Sequence, residues 1–470
     1  MAFLGIIRKF IKIFNYFCMS YTVILNIAYI IQLIISYFRL KKERKEELAN
    51  DYEHYANSDN LLPITLIVPA YNEEDNIVHN VKSLMKINYP NYEVVVVNDG
   101  SKDKTHFKMI EAFKLKKVNP SIKVSIPTQE IQGVYYNSKY PNLVYVDKLN
   151  GGKSDALNAG INISKYPLFA CLDADSRIEK NSLLMLGEMF IKDSTTVVAG
   201  GFVRIANGSV IEDGEWRGFD LPEKSIEKFQ IVEYFRSFLY GRVAWGKSLL
   251  IVSGAFGLFK KDAVIEVGGY KNNTIGEDME IVVRMHHKFK KEKRKYSVKF
   301  CDKAICWTQC PMSIKDLRGQ RRRWQVGLFD TLLSHFSMAF NPRYGAVGLL
   351  SMPYNFIFEL LGVIVESLGY LIIPFSVIMG ELNMFFFVMY LLLSVILGTM
   401  LSVGGILLEQ YTRKGCFTPD QIMKLSIYAF LENLGYRQLI VLFRLEGVLR
   451  FRKYRTSWGK IKRTQFNKEK

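Results

Sequence analysis

Long apolar runs stand at both ends of a chain whose middle alternates between short buried runs and amphipathic stretches. From Phe14 to Phe38 there are 25 residues without a charge, enough for about 37 Å of helix against a hydrocarbon core of about 30 Å. Arg39, Lys41, Lys42, Arg44 and Lys45 follow at once, so the run reads as an uncleaved anchor spanning 14–38 within residues 1–45, not as a secretory signal. Near the other end, Tyr344 to Gly380 is apolar except for Glu359 and Glu366, and Leu382 to Leu408 carries no charge. These predict a hairpin of spans at 346–380 and 382–408 within a C-terminal region 336–449. A third stretch, 421–443, contains Lys424, Glu432, Asn433 and Arg437 and is expected to break at Gly435, giving a broken or interfacial element.

Between these ends, residues 46–335 have ordinary globular patterning. Short apolar runs predict strands at Ile64–Pro69, Glu93–Asn98, Leu143–Asp147, Leu168–Asp173, Thr196–Gly200, Val252–Phe259 and Val298–Cys301. Helical periodicity separates them, as at Asn76–Lys86 and Lys153–Ile163. Alternating strand and helix predicts an α/β domain, a mostly parallel sheet with helices on both faces, flanked by transmembrane helices.

Composition sharpens this picture. With 49% hydrophobic and 23% charged residues among 470, neither a disordered nor a wholly membrane-buried chain fits. Lys and Arg exceed Asp and Glu by 18, which implies a polyanionic partner. The cations cluster beside the apolar spans and around Trp324, without interleaved exposed aromatics, so a lipid membrane and phosphorylated substrates fit and nucleic acid does not. Cations flank both ends of the hairpin and are absent from its connector near Glu381. The positive-inside rule then places the domain and the basic tail, 450–470, in the cytoplasm of a multi-pass protein of the cell membrane. Six scattered cysteines suggest no disulfide framework, and the cluster Cys301, Cys306 and Cys310 lacks a fourth ligand for zinc.

Several polar motifs fall where ligands of open sheets bind, at the carboxyl ends of strands. Asp99 enters a Gly-Ser turn after Val94–Val97, and Asp173 and Asp175 follow Phe169–Leu172. One residue apart on an extended chain, these two carboxylates could converge on one divalent cation. Asn150-Gly151-Gly152-Lys153 precedes a helix, a placement suited to holding phosphates. Gly276-Glu277-Asp278 opens an amphipathic helix, and Gln320-Arg321-Arg322-Arg323-Trp324 sets Gln320, Arg323 and Trp324 along one helical side. Taken singly, the same residue types also suit turns, a helix cap and a basic helix resting on anionic lipid. In the bundle, Asn355, Glu359, Gly362, Glu366 and Gly369 share one stripe, which suits either a glycan-lining face or close helix packing.

In order and spacing, these motifs together with Val68-Pro69-Ala70-Tyr71-Asn72-Glu73-Glu74 resemble the membrane-embedded family 2 glycosyltransferases, the cellulose, chitin, hyaluronan and poly-N-acetylglucosamine synthases. The likeness covers Pro63 to Leu328, and its texture is closest to the poly-N-acetylglucosamine synthase-like group. The resemblance implies a GT-A-type fold and a processive, inverting transfer from a UDP-sugar, UDP-GlcNAc or UDP-glucose, that extends a β-linked polysaccharide at the cytoplasmic face. It implies that Pro69, Tyr71, Glu73 and Asp99 hold the nucleoside, that Lys153 contacts the nucleotide, and that Asp173 and Asp175 bind nucleotide and Mg²⁺ or Mn²⁺. Asp278 would be the general base, Gln320 and Arg323 would steady the diphosphate, and Trp324, Ser253 and Gly254 would meet the growing polysaccharide acceptor. The sequence departs from relatives in reading Asn98-Asp99 where many have two Asp, and Gly276 where cellulose synthases commonly have Thr. Its few spans imply a homo-oligomer or a small membrane partner subunit if a sealed channel is needed. A non-processive transferase to a lipid carrier and a silent nucleotide-sugar-binding scaffold are the alternatives, and the intact Asp99, Asp173, Asp175 and Asp278 weigh against the second.

Overall fold

The computed structural model describes residues 2–47, 61–212, 215–413 and 416–455. A ten-stranded sheet forms its centre, built from β1 (Ile64–Ala70), β2 (Tyr92–Asp99), β3 (Lys116–Val118), β4 (Ile131–Tyr136), β5 (Leu143–Lys148), β6 (Leu168–Leu172), β7 (Arg177–Ile178), β8 (Thr196–Ile205), β11 (Phe256–Lys260) and β12 (Ser297–Thr308). The spatial order is β3-β4-β5-β2-β1-β6-β11-β8-β12-β7, and β9 (Ser209–Glu212) pairs with β10 (Glu215–Phe219) as a separate hairpin. Parallel pairing is confined to the block β5-β2-β1-β6 and the pair β8-β12. The remaining pairs are antiparallel, so the sheet is mixed.

The apolar runs of β1 and β2 are continuous because both faces of the sheet are covered. Successive side chains leave a strand on opposite faces. Leu66, Val68, Val94 and Val96 accordingly join one core with α2 (Ile77–Leu84), α3 (Thr105–Phe113) and α5 (Ser182–Lys192). Ile67, Val95 and Val97 join the other with α4 (Lys153–Ile163), the short α7 (Lys261–Glu266) and α8 (Glu277–Lys291). The expected strand Val252–Phe259 forms only from Phe256 on. Val252–Ala255 leaves the sheet, and the Gly254 N–H turns to the carboxylate of Asp278, 3.3 Å away.

Three helical runs, Gly5–Lys45, Val347–Ile378 and Met384–Thr412, are long and apolar enough to cross a membrane. They belong to α1 (Ala2–Glu47), to α10 (Gly362–Ile378) with the π-helical turns before it, and to α11 (Met384–Thr412). At one end of α1, Arg8 and Lys12 meet Glu381 of the α10–α11 connector at 3.5 and 3.0 Å. At the other end Arg39 donates to Val243 O (2.7 Å). The Asn355–Gly369 stripe lies in a packed seam: a Cβ on Gly362 would lie 2.7 Å from the Tyr21 hydroxyl, and Glu359 pairs with Arg444 at 3.0 Å. After α11 come α12 (Pro419–Leu431) and α13 (Arg437–Leu449), broken apart at Leu434 and Gly435, where Gly435 takes a φ of 125°. Each arm has 13 residues, about 20 Å of helix, which is short of a bilayer core.

Helix α13 lies along α9 (Ile314–Ser334). Leu317 packs with Tyr436, Ile440 and Phe443, Glu446 meets Arg318 (2.7 Å) and Arg322 (3.4 Å), and Arg444 donates to Gln325 at 2.7 Å.

Candidate active site

The carboxyl ends of β2 and β5 are locked together before any ligand is considered. Asp99, the last residue of β2, is buried, and both of its carboxylate oxygens are engaged. Oδ1 accepts from Lys148 Nζ (2.6 Å) and Gly151 N (3.0 Å); Oδ2 accepts from Gly152 N (2.8 Å) and Asn150 Nδ2 (3.1 Å). Lys148, with no exposed surface, spends its three ammonium hydrogens on Asp99, Asp155 and the Leu149 carbonyl, each at 2.6 Å. Gly100 is required here. Its φ is +65°, and a Cβ on it would lie 2.8 Å from Asn150 N. Asp99 therefore holds the 150–152 loop instead of presenting a free carboxylate to a nucleoside. The Gly151 and Gly152 N–H groups, expected to face phosphates, are bound to it.

What this loop delivers is Lys153 at the start of α4. Its ammonium lies 2.6 Å from Asp173 Oδ1 and 3.6 Å from Glu277 Oε1. Burial would push that ammonium down, but Asp173 and Glu277 outweigh it and hold it above the usual lysine range. Burial pushes Glu277 up to about 7, against the pull of Lys153 and with the carboxylate of Asp278 adding to the rise. Asp173–Ser176 is a turn closed by Ser176 N donating to Asp173 O (2.9 Å), not the extended segment the sequence suggested. Asp175 is buried within it. Among the described residues no third His, Cys, Asp or Glu joins these two carboxylates. Two hard carboxylates fit a Mg²⁺-like ion that takes its other ligands from substrate phosphates and water. Cys301, Cys306 and Cys310 are buried thiols that form no such group either.

Asp278 sits in the first turn of α8, its Oδ2 accepting from Gly254 N (3.3 Å) and its Oδ1 from Met279 N (2.8 Å). Gly254 thus lies against Asp278, with Ser253 next to it in the chain. Helix α9 is brought up to it by two glycines in backbone contact: a Cβ on Gly276 would lie 2.7 Å from Gly327 Cα, and one on Gly327 would lie 2.8 Å from Gly276 Cα. This close approach is the physical reason for Gly at 276. One turn earlier on α9, Trp324 is half exposed, with the Arg321 guanidinium 4.3 Å from its ring centroid and Tyr234 of α6 (Ser225–Phe235) 6.3 Å away. Arg321 is buried and paired with Glu233 (2.8 Å), which also accepts from the Tyr436 hydroxyl (3.0 Å). Gln320 is part-buried, its Oε1 without a donor among the described residues; Arg323 is part-buried on the same helix.

The remaining expected residues lie on the loop after β1. Tyr71 is exposed, and the loop is laced to the turn after β2 through Asn72 N to Ser101 Oγ (3.0 Å) and Glu73 N to Thr105 Oγ1 (2.9 Å). Pro69 is the penultimate residue of β1. The structure thus gathers Lys153, Asp173, Glu277, Asp278 and Gly254 closely and ties α9 to them, while Pro69, Tyr71 and Glu73 lie at and just after the end of β1, the strand beside β6. Sequence reasoning missed Lys148, Glu277 and Tyr234. Lys148 ends a strand just before the Gly-rich turn, and that placement was the available signal.

The model of the family described as "Glycosyltransferase like family 2" matches residues 62–327, and the chain belongs to this family: it is a glycosyltransferase. It is 30% identical over 333 residues, covering 69% of this chain and 68% of the other, to the poly-beta-1,6-N-acetyl-D-glucosamine synthase of Staphylococcus aureus (strain MSSA476). With the protein of the same name from Staphylococcus epidermidis it shares 28% over 329 residues, 69% of this chain and 67% of that one. Among solved structures it is similar to the mannosyltransferase PcManGT from Pyrobaculum calidifontis in complex with GDP-Man and Mn2+. The TM-score is 0.51 at 14% identity, over 89% of this chain and 99% of that chain. That likeness speaks for the GT-A-type fold.

Proposed function

We propose that the protein is a processive, inverting polysaccharide synthase that draws on a UDP-sugar, UDP-GlcNAc before UDP-glucose, and lengthens a β-linked chain at the cytoplasmic face of the membrane. The observation that carries this reading is the joining of Asp278 to the Trp324 helix through the Gly276–Gly327 contact. In this reading Asp278 serves as the base and Trp324 as an aromatic sugar platform, with Lys153 beside Asp278 around Gly254 and paired with Asp173. The staphylococcal relatives support N-acetylglucosamine as the sugar.

In this reading the acceptor sugar stacks its C–H face on Trp324. Asp278 takes the proton from the acceptor hydroxyl as that oxygen bonds to the anomeric carbon of the donor, and the bond from that carbon to the diphosphate oxygen breaks on the opposite face. One base suffices, and the anomeric configuration inverts. Lys153, Gln320 and Arg323 stand toward the departing diphosphate, where fixed positive charge and donors count most in the transition state. A Mg²⁺ or Mn²⁺ ion held by Asp173 and Asp175 would supply Lewis-acid neutralisation of the diphosphate.

The test uses the full chain in lipid vesicles with Mg²⁺ or Mn²⁺ and a panel of labelled UDP-sugars. Polymer from one donor is expected, and Asp278→Asn should lower its rate by about 10²- to 10⁴-fold while UDP still binds. No UDP release from any donor, with Asp278→Asn indistinguishable from the parent, would refute the proposal.

A further inference from the structure

The turn that carries Asp173 and Asp175 runs straight into β7, a two-residue strand at the edge of the sheet. Only Arg177 and Ile178 pair there, with Trp307 and Cys306 of β12. So short a strand makes few ladder bonds, and the placement of the turn then depends on what pins the chain at either end. Upstream, Asn80 Nδ2 donates to Ala174 O (2.7 Å). Downstream, the pin is Glu179. Its N–H donates to Ile305 O (3.1 Å), and its Oε1 accepts from the Trp307 indole (3.0 Å) and from Arg413 Nη1 (2.8 Å). Trp307 is a buried residue of β12, whereas Arg413 is the first residue beyond α11, one of the helices apolar and long enough to cross a membrane.

The sheet is matched to the end of that helix. One turn before Arg413, Glu409 has no exposed surface and meets Arg204 of β8, which lies opposite Trp307 in the β8–β12 register. Trp307 stands between the two pairs, with the Arg204 guanidinium 5.8 Å from its ring centroid and its N–H on Glu179. The last turn of α11 thus presents an acid and a base to a base and an acid held by one buried indole. A slip of one turn would set Arg413 against Arg204, like charge on like, so the register is specified. Arg44 of α1 closes the same helix end, donating to Tyr411 O (2.8 Å) with its guanidinium 4.7 Å from the Tyr411 ring centroid, and a cation suits the negative pole found there.

We propose that Glu179 and Arg413 are positioning residues for the metal: the end of α11 holds Glu179, and through it the Asp173–Ser176 turn, in the arrangement that binds a divalent cation. The inference rests on the reading of Asp173 and Asp175 as ligands of Mg²⁺ or Mn²⁺, and adds to it a handle on that site from a membrane helix.

The experiment titrates Mn²⁺, with UDP present, into the full-length parent, Arg413→Met, Arg413→Lys, Glu179→Gln and the double variant in phosphatidylcholine nanodiscs. Free Mn²⁺ is read by electron paramagnetic resonance, so no turnover is needed. Arg413→Met leaves the Trp307 bond to Glu179 in place and is expected to raise half-saturating Mn²⁺ about three- to tenfold, a coupling of the size that packed contacts carry, at an unchanged number of sites. Arg413→Lys, which keeps a charged donor, should recover part of the loss, and the double variant should lose no more than the worse single one. A lowered thermal midpoint or fewer sites with half-saturating Mn²⁺ unmoved is the mark of a merely structural pair and would overturn the proposal, as would single losses that multiply in the double variant. If the parent binds no Mn²⁺, the assignment of Asp173 and Asp175 fails and takes the proposal with it; if the parent binds and Arg413→Met binds as tightly, the positioning pair alone fails.

Discussion

Gly327→Ala isolates the contact on which the site's geometry depends. A Cβ there would lie 2.8 Å from Gly276 Cα and 3.1 Å from Gly276 N, whereas non-bonded carbons rest at about 3.5–4.0 Å. Both neighbours are backbone atoms, so no side-chain rotation relieves the clash, and the two segments must part by about 0.7–1.2 Å. Overpacking of this kind costs about 1–3 kcal/mol, and replacing a helical glycine by alanine returns about 0.5–1 kcal/mol. Stability should thus fall by about 2.5 kcal/mol at most, while Asp278, two residues from Gly276, moves relative to Trp324. A 1 Å misplacement is expected to lower transfer about 10²-fold. Gly319→Ala, on the same helix, is the matched control, because a Cβ there meets nothing within 4 Å. UDP release in vesicles, read beside thermal denaturation of both variants, separates the two effects. If Gly327→Ala keeps more than half of the parent rate, or loses no more than Gly319→Ala, the glycine contact does not set the catalytic geometry.

Two further expectations concern the scaffold. Lys148→Met leaves Asp99 and Asp155 buried without their shared cation and should destabilise the protein by about 3–5 kcal/mol; denaturant or thermal unfolding unchanged by the substitution would show that the lysine does not hold the loop. His286 has no exposed surface; its Nε2 donates to Leu249 O (2.9 Å), and with the ring neutral its Nδ1 accepts from the Tyr296 hydroxyl (2.6 Å). Burial pushes it down to about 4, so below pH 6.5 the unfolded chain takes up a proton that the folded chain refuses. Stability should fall by up to about 3 kcal/mol as pH drops from 6.5 to 4 and stay flat above that window. His286→Phe should remove that part of the slope in thermal unfolding at pH 7 and pH 5, and an identical slope would count against it.

Much of the domain was legible because it is written in local patterns. The apolar runs of β1, β2 and β6 and the polar residues at their ends mark strands that deliver side chains to one edge of a sheet. The less legible features are set by distant partners. Asp99 reads as an open ligand at a strand end, and only the fold reveals Lys148 and the 150–152 loop filling its oxygens. Val252–Ala255 carries the composition of a strand, but the pull of Asp278 on the Gly254 N–H outweighs that local preference. Gly276 looks like a departure from relatives until Gly327 is found against it.

The union of α13 with α9 bears on how such an enzyme can be exchanged or inherited. Residue 335 is a boundary in composition, yet Arg437–Leu449 covers Leu317 and anchors Arg318, Arg322 and Gln325 from beyond two of the apolar helices, and Tyr436 caps the Glu233–Arg321 pair beneath Trp324. The catalytic domain is thus no detachable cassette. A graft that swapped residues 46–335 between relatives would part the Trp324 helix from its own buttress, so the two stretches must travel as one unit despite the two apolar helices between them.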